Sequence, residues 1–216
     1  MGFLEYLVQR WDHLLELTIE HAQIVFISLI IATAISLTLG VLVYRNDLLA
    51  GVVLSVTGVF ITIPSFALFG LLVPVLGIGA PPTIFALVMY ALLPIVRNTI
   101  TGLRGVDPAI VESAQGMGMS RWRRLFRIEL PLAWPVILAG VRISTLLIMG
   151  IAAIAAIVNG PGLGDDIFSG LARVGTSQAL NLVLSATLGI VVLALIFDAL
   201  IALLGRITTS GGLKND

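Results

Sequence analysis

Between Gly105 and Pro131 the chain concentrates its chemistry: Asp107-Pro108, Glu112-Ser113-Ala114, Gly118, the arginines Arg121, Arg123, Arg124 and Arg127, and Ile128-Glu129-Leu130-Pro131. No nucleophile stands beside a base there, so the chemistry is recognition rather than bond breaking. Asp107 accepts the orphan amide bonds of a helix start, and Pro108 fits the first turn. That helix runs through Glu112 to about Met117, where Gly118 ends it in the left-handed conformation. Ser120 caps a second short helix, on which Trp122, Leu125 and Phe126 share a face while Arg123, Arg124 and Arg127 lie elsewhere. Pro131 closes the unit. The pattern predicts a two-helix docking knob, apolar on one side and basic on another. A loop that only holds positive charge or binds lipid head groups is the alternative, but it requires neither Gly118 nor Leu130-Pro131 at these spacings. No nucleic-acid partner is expected.

Elsewhere reactive side chains are sparse. Cysteine is absent, which removes disulfides, thiolate metal sites and thiol nucleophiles, and no metal site is expected. The two histidines, His13 and His21, precede the first long apolar stretch and read as ordinary surface polarity. Asp165 and Asp166 read as a solvated external turn, or as a contact for a cation or an external partner. Asp198 interrupts a long apolar run. It is expected to pair with Arg45, Arg97 or Arg142, because a lone charge within a membrane is costly.

The elements that carry these residues follow from composition. Of 216 residues, 58% are apolar and 11% charged, with a mean hydropathy of +1.10; an average soluble domain carries roughly 25% charged residues. No charge occurs between Asp47 and Arg97, or between Arg173 and Asp198, and a spanning helix needs about 20 apolar residues. Residues 1–21 show a three-and-four apolar spacing and are predicted as an amphipathic interfacial helix. Spans follow at Ala22–Val43, within Leu48–Leu76, and at about 83–103, 135–157 and 182–205. One unbroken helix over 48–76 would run about 43 Å at 1.5 Å per residue, too long for a core of roughly 30 Å. Pro64 and Pro74 break it, giving one crossing interrupted near Thr62–Ser65 and followed by a short helical or re-entrant piece.

Arginine placement orients the chain. Seven of twelve basic residues fall between Arg97 and Arg142, whereas residues 1–21 carry one basic residue against four acidic ones. The expectation is an all-α polytopic membrane protein with about five spans, the N-terminus outside and the C-terminus inside. A six-span alternative splits 48–76 in two and strands the arginine loop on the wrong face unless the first run fails to cross. The transmembrane block 22–206 holds the loop 105–131 and is followed by a cytoplasmic tail, 207–216.

The loop resembles the EAA coupling motif of ABC importer permeases: Glu-Ala-Ala, three residues, Gly, nine residues, then Ile-x-Leu-Pro. Glu112-Ser113-Ala114, Gly118 and Ile128-Glu129-Leu130-Pro131 fit every spacing, with Ser113 replacing the first alanine. Three further segments are similar to permeases of the osmoprotectant group, which handles glycine betaine, carnitine and choline: Thr62–Ser65, Leu93–Asn98 with Thr101–Val106, and Gly160–Asp165 with Ile167–Gly170. The resemblance covers nearly all of 22–206.

The resemblance implies a non-catalytic permease subunit in a bacterial cytoplasmic (inner) membrane. Glu112, Ser113, Ala114, Gly118, Ile128, Leu130 and Pro131 would couple to a separate ATPase, supported by Asp107, Pro108, Arg121, Trp122 and Phe126. The chain's one lysine, Lys214, follows Gly211-Gly212-Leu213 and makes no phosphate-cradling loop; Gly160–Gly164 lacks lysine. ATP and Mg would therefore be bound by ATP-binding subunits, and this chain is expected to hold no cofactor. An extracytoplasmic substrate-binding protein, touching Asp165 and Asp166, and a second permease, identical or paralogous, complete the expected partners beside membrane lipid. Hinge and pathway candidates are Pro64, Ser65, Phe66, Phe69, Tyr90, Asn98 and Gly150, the aromatic faces being suited to a quaternary ammonium. The small residues of the fourth span would line the path or a permease contact, or else pack within the chain. Rival readings are an importer of another small solute, such as an amino acid or a trimethylated compound, and an ion-coupled secondary transporter.

Overall fold

The computed structural model describes residues 2–176 and 178–208. Every regular element among them is helical: α1 (Phe3–Gln9), α2 (Trp11–Val43), α3 (Asp47–Thr62), α4 (Ser65–Leu76), α5 (Ala80–Arg104), α6 (Pro108–Gly116), α7 (Arg121–Arg124), α8 (Leu130–Ile154), α9 (Gly164–Leu171) and α10 (Ala179–Thr208). A π-helical turn, Leu125–Glu129, joins α7 to α8, and a 3-10 turn, Ala155–Val158, ends α8. By length and composition α2, α5, α10 and the rod Arg121–Val158 can each cross a membrane; the pair α3–α4, bent by 98°, makes a fifth span if taken as one. Most of the expected tail, residues 209–216 with Lys214, lies outside the described residues.

Helix α5 is the centre of the bundle. Of its most apolar stretch 61% is buried inside the chain, against 11% for α10, so α5 is held by protein on most sides and α10 by little. Close approach needs small residues where backbones meet. A Cβ on Gly140 of α8 would stand 2.7 Å from the Asn98 Cβ and 2.8 Å from the Pro94 carbonyl oxygen of α5. Gly40 of α2 meets the Thr99 side chain of α5 as tightly. Ser36 Oγ donates to the Leu92 carbonyl at 3.3 Å and Ser144 Oγ to the Ala91 carbonyl at 2.8 Å. Both flanking helices thus bond α5 just before Pro94, where the proline removes a rung of the helix ladder.

Several boundaries differ from expectation. The segment 1–21 is not one helix: it breaks at Arg10, and 11–21 run on into the first span. No proline interrupts Trp11–Val43, and 33 residues extend about 50 Å, well past a hydrocarbon core of roughly 30 Å. Pro74 lies inside α4 instead of breaking it, two residues before the helix ends at Leu76. Pro131 does not close the loop either; Arg121–Val158 runs through it as one rod. The π-helical turn just upstream shifts the ladder, with the Leu130 amide bonding the Leu125 carbonyl, which relieves the clash proline causes in a regular helix. Ala152, Ala153 and Ala155 of the fourth span are buried in this chain, so those small residues serve internal packing.

Candidate functional site

The loop is built as its local signals dictate. Asp107 Oδ1 accepts from the Ala109 amide at 2.8 Å, and Pro108 occupies the first turn of α6. At the far end Gly118 has φ of 77°, the Met119 amide bonds the Ala114 carbonyl at 3.1 Å, and the Gly118 amide bonds that of Gln115 at 2.9 Å. Those two bonds close a Schellman motif, which requires a left-handed residue where glycine costs least. Ser120 Oγ then accepts from the Arg123 amide at 3.4 Å. The fixed interval from Glu112 to Gly118 is the length of that helix end.

The outward face of the loop suits docking. Ala114 is the buried residue of α6; Glu112 and Ser113 are exposed, and the Ser113 hydroxyl donates to the Ala109 carbonyl at 2.7 Å. Trp122 and Phe126 are 57% and 64% exposed with ring centroids 6.3 Å apart, and Met117 and Ile110 of the same loop are exposed as well. Arg121, whose guanidinium lies over Trp122, Arg123 and Arg127 are exposed around them. Leu125 does not share the face of Trp122 and Phe126: it is buried, as is Arg124, which sequence periodicity put with the exposed basic residues. Ile128 and Leu130 are half-buried and Pro131 exposed.

Arg124 turns inward because Glu129, 2% exposed, is its partner. Glu129 Oε1 accepts from Arg124 Nε at 2.7 Å and Arg45 Nη2 at 3.0 Å; Oε2 accepts from the Tyr44 hydroxyl at 2.7 Å. Arg104 Nε donates to the Tyr44 carbonyl at 2.6 Å and its Nη2 pairs with Asp47 at 2.9 Å. The loop is thereby tied to the turn between α2 and α3 and to the end of α5. Burial alone would raise the Glu129 carboxyl; bonds from Arg124 and Tyr44 and the charge of Arg45 overcome it and hold it below the usual carboxylate range. Glu112 shares with these groups a cleft of about 480 Å³. This hub was missed in the sequence, where its one signal was a carboxylate among arginines.

The pathway candidates do not assemble into a cage within one chain. Phe69 is fully buried in the core, Phe66 is 61% exposed and Gly150 faces open space. Tyr90 is buried, its hydroxyl donating at 2.6 Å to the carbonyl of Ile63. Ile63 and Pro64 form the break between α3 and α4, so Tyr90 satisfies a carbonyl the bend releases; Ser65 starts α4. Asn98 Nδ2 donates to the Pro94 carbonyl at 2.8 Å and packs against Gly140. Asp198 does find an expected partner, Arg142.

The opposite end overturns the surface reading of His21 and gives the half-buried His13 a partner. His21 is fully buried, its Nε2 3.1 Å from the Met149 carbonyl oxygen, with Gly162 packed against it. His13 Nε2 lies 2.9 Å from Asp166 Oδ1. Asp166 is 2% exposed, so it is neither a solvated turn nor an accessible contact; Asp165 is exposed. Gly160, Gly162 and Gly164 leave no room for a Cβ, which lets this segment pack into the bundle and carries Asp166 inward with it.

Helices able to cross a membrane, centred on α5, and a protruding loop capped by Asp107 and Gly118 define a multi-pass membrane subunit of the transporter permease type. Residues 24–209 match the family described as binding-protein-dependent transport system inner membrane component, and the chain belongs to it. It is 36% identical over 211 residues to the glycine betaine/carnitine/choline transport system permease protein OpuCB of Bacillus subtilis (strain 168), covering 98% of this chain and 95% of that one. It is 36% identical over 219 residues to the osmoprotectant import permease protein OsmW of Salmonella typhimurium, covering 99% and 100%. Among solved structures, the inward-facing methionine ABC transporter MetNI shares the fold, with a TM-score of 0.75 at 22% identity over 88% of this chain and 94% of that one.

Proposed function

We propose that this chain is the permease subunit of an ATP-driven importer of quaternary-amine osmoprotectants in a bacterial inner membrane, with its N-terminus outside and C-terminus inside. Two permeases enclose the path. Separate ATP-binding subunits, which hold ATP and Mg, receive the knob formed by α6 and α7, and an external binding protein delivers the solute. The chain itself carries no catalysis and no cofactor. The observation that carries this reading is the exposed, doubly capped loop with Trp122 and Phe126 at its tip, anchored by Glu129 to the helices behind it. The solutes for which the relatives are named support the solute class, and exposed Asp165 remains available to the binding protein.

In that reading ATP-driven closure pushes the loop, and Glu129 passes the movement through Arg45 and Tyr44 to α2 and α3. The bend at Ile63-Pro64 then lets α4 move relative to α3. Reconstitution tests it: the chain, its ATP-binding subunits and binding protein are placed in liposomes, and uptake of glycine betaine, carnitine and choline is measured with and without ATP. ATP-dependent uptake of at least one is expected. Uptake driven by an ion gradient without the ATP-binding subunits, or of amino acids alone, would replace this reading with a rival.

A further inference from the structure

Among the described residues, one ion pair lies well inside the membrane-spanning helices. Arg142 of α8 donates through Nε to Asp198 Oδ1 and through Nη2 to Asp198 Oδ2, the latter at 2.6 Å. Arg142 is seven residues past Pro135 and Asp198 eight before Arg206, about 10 and 12 Å along their helices. At that depth their side chains are still 52% and 23% exposed. Charges so placed are costly against lipid and face protein or water instead.

The two flanks of α10 differ accordingly. On one flank Phe26, Ile30, Leu37, Phe197 and Leu204 line a groove with apolar walls, fit for acyl chains. Across Leu138 and Ile201, which line both sites, Ala139, Ala202 and Gly205 wall a cleft of about 210 Å³ bordered by Arg142. The α8 surface running on from it, Ala139, Ile143, Leu146 and Gly150, is also uncovered in this chain. Of the two flanks, the one carrying the ion pair is the one that lipid suits less.

We infer that this cleft is an intramembrane station for a quaternary amine that also bears a carboxylate, held by exchange of the Arg142–Asp198 pair. The inference rests on the importer reading above. A carboxylate matches the two-pronged guanidinium of Arg142, and its arrival frees Asp198 to neutralise the ammonium. The N-methyl groups, which have no hydrogen to donate, lie against the apolar walls. One ion pair exists before the exchange and two after it, so no charge is left unpaired in a low dielectric. A quaternary amine without a carboxylate could engage Asp198 only by stranding Arg142.

The test uses the reconstituted importer with the double variant Arg142→Gln/Asp198→Asn, whose side chains can still bond each other. Glycine betaine uptake should fall at least ten-fold, while co-purification of the ATP-binding subunits and ATP hydrolysis stimulated by loaded binding protein stay within two-fold. Uptake within two-fold of the parent overturns the inference. Should the double variant fail to assemble, Arg142→Lys decides, since it keeps the ion pair but not the fork. It should lower glycine betaine uptake at least five-fold with stimulated hydrolysis intact, and unchanged uptake overturns the inference. If the unmodified importer carries no quaternary amine, the importer reading itself fails, a result distinct from either variant outcome.

Discussion

Arg124 and Glu129 stand five residues apart and meet at 2.7 Å. In a regular α-helix that interval separates side chains by about 140° around the axis. The π-helical turn Leu125–Glu129 winds more residues into one turn and brings them together. The pair joins the loop 105–131 to the helices behind it, because the same carboxylate holds Tyr44 and Arg45 at the end of α2.

Removing the carboxylate should be severe. Glu129→Ala leaves Arg124, 3% exposed, as a buried cation without its partner, a loss of about 3–5 kcal/mol. Glu129→Gln retains hydrogen-bonding atoms and should unfold less readily than the alanine variant. In liposomes it should also hydrolyse ATP with reduced uptake per ATP. Thermal unfolding in detergent and the ratio of uptake to hydrolysis check both expectations; an unchanged ratio in Glu129→Gln would remove the transmission role.

The same group sets an acid limit. The Glu129 carboxyl is held below its ordinary range in the folded chain. Its contribution to stability is therefore complete above the unfolded pKa of about 4.3 and is lost as pH falls through the folded value. Melting temperature measured from pH 7 down to 3 should drop at the acid end, with a shallower drop in Glu129→Gln. Parallel curves would show that other carboxylates set the limit.

Gly118 offers a separable test of the loop. A Cβ there meets nothing within 4 Å, so a substitution is felt through φ of 77° alone. Gly118→Ala should cost about 1 kcal/mol and Gly118→Asn less, since asparagine tolerates the left-handed region. Binding of the ATP-binding subunits should follow the order Gly, Asn, Ala. Equal binding by all three would show that the end of α6 does not shape the docking face.

Tyr90→Phe should loosen the bend without touching the loop. The hydroxyl bonds the half-buried Ile63 carbonyl at 2.6 Å, and leaving it unsatisfied costs at most about 1–3 kcal/mol. Uptake is expected to fall while affinity for the ATP-binding subunits is unchanged. Full uptake at unchanged stability would exclude the bond as a support of the hinge.

At the other end, Asp165 and Asp166 should separate cleanly. Asp165 is exposed and Asp166 is buried beside His13. Asp165→Lys should weaken delivery by the binding protein with melting unchanged, whereas Asp166→Lys should destabilise by several kcal/mol, because it buries a cation without a partner. Similar melting temperatures for the two variants would contradict the buried placement.

Local signals along the chain were enough to specify long apolar membrane helices, the break at Pro64, and both ends of α6. Those features are local: the length of an apolar run, a missing amide, a cap acting over two residues, one left-handed glycine. Which distant groups meet came from packing alone. Asp198 chose Arg142 over Arg45 or Arg97 across 56 positions of chain; Asp166 met His13 across 153, and Tyr44 met Glu129 across 85. Even Arg124, read as part of an exposed basic face, was turned inward by a π-helical turn that residue spacing does not announce. Pairings of this kind depend on how helices pack and rotate against one another. That is set by close contacts such as Gly140 on Asn98, and no periodicity along a single helix encodes it.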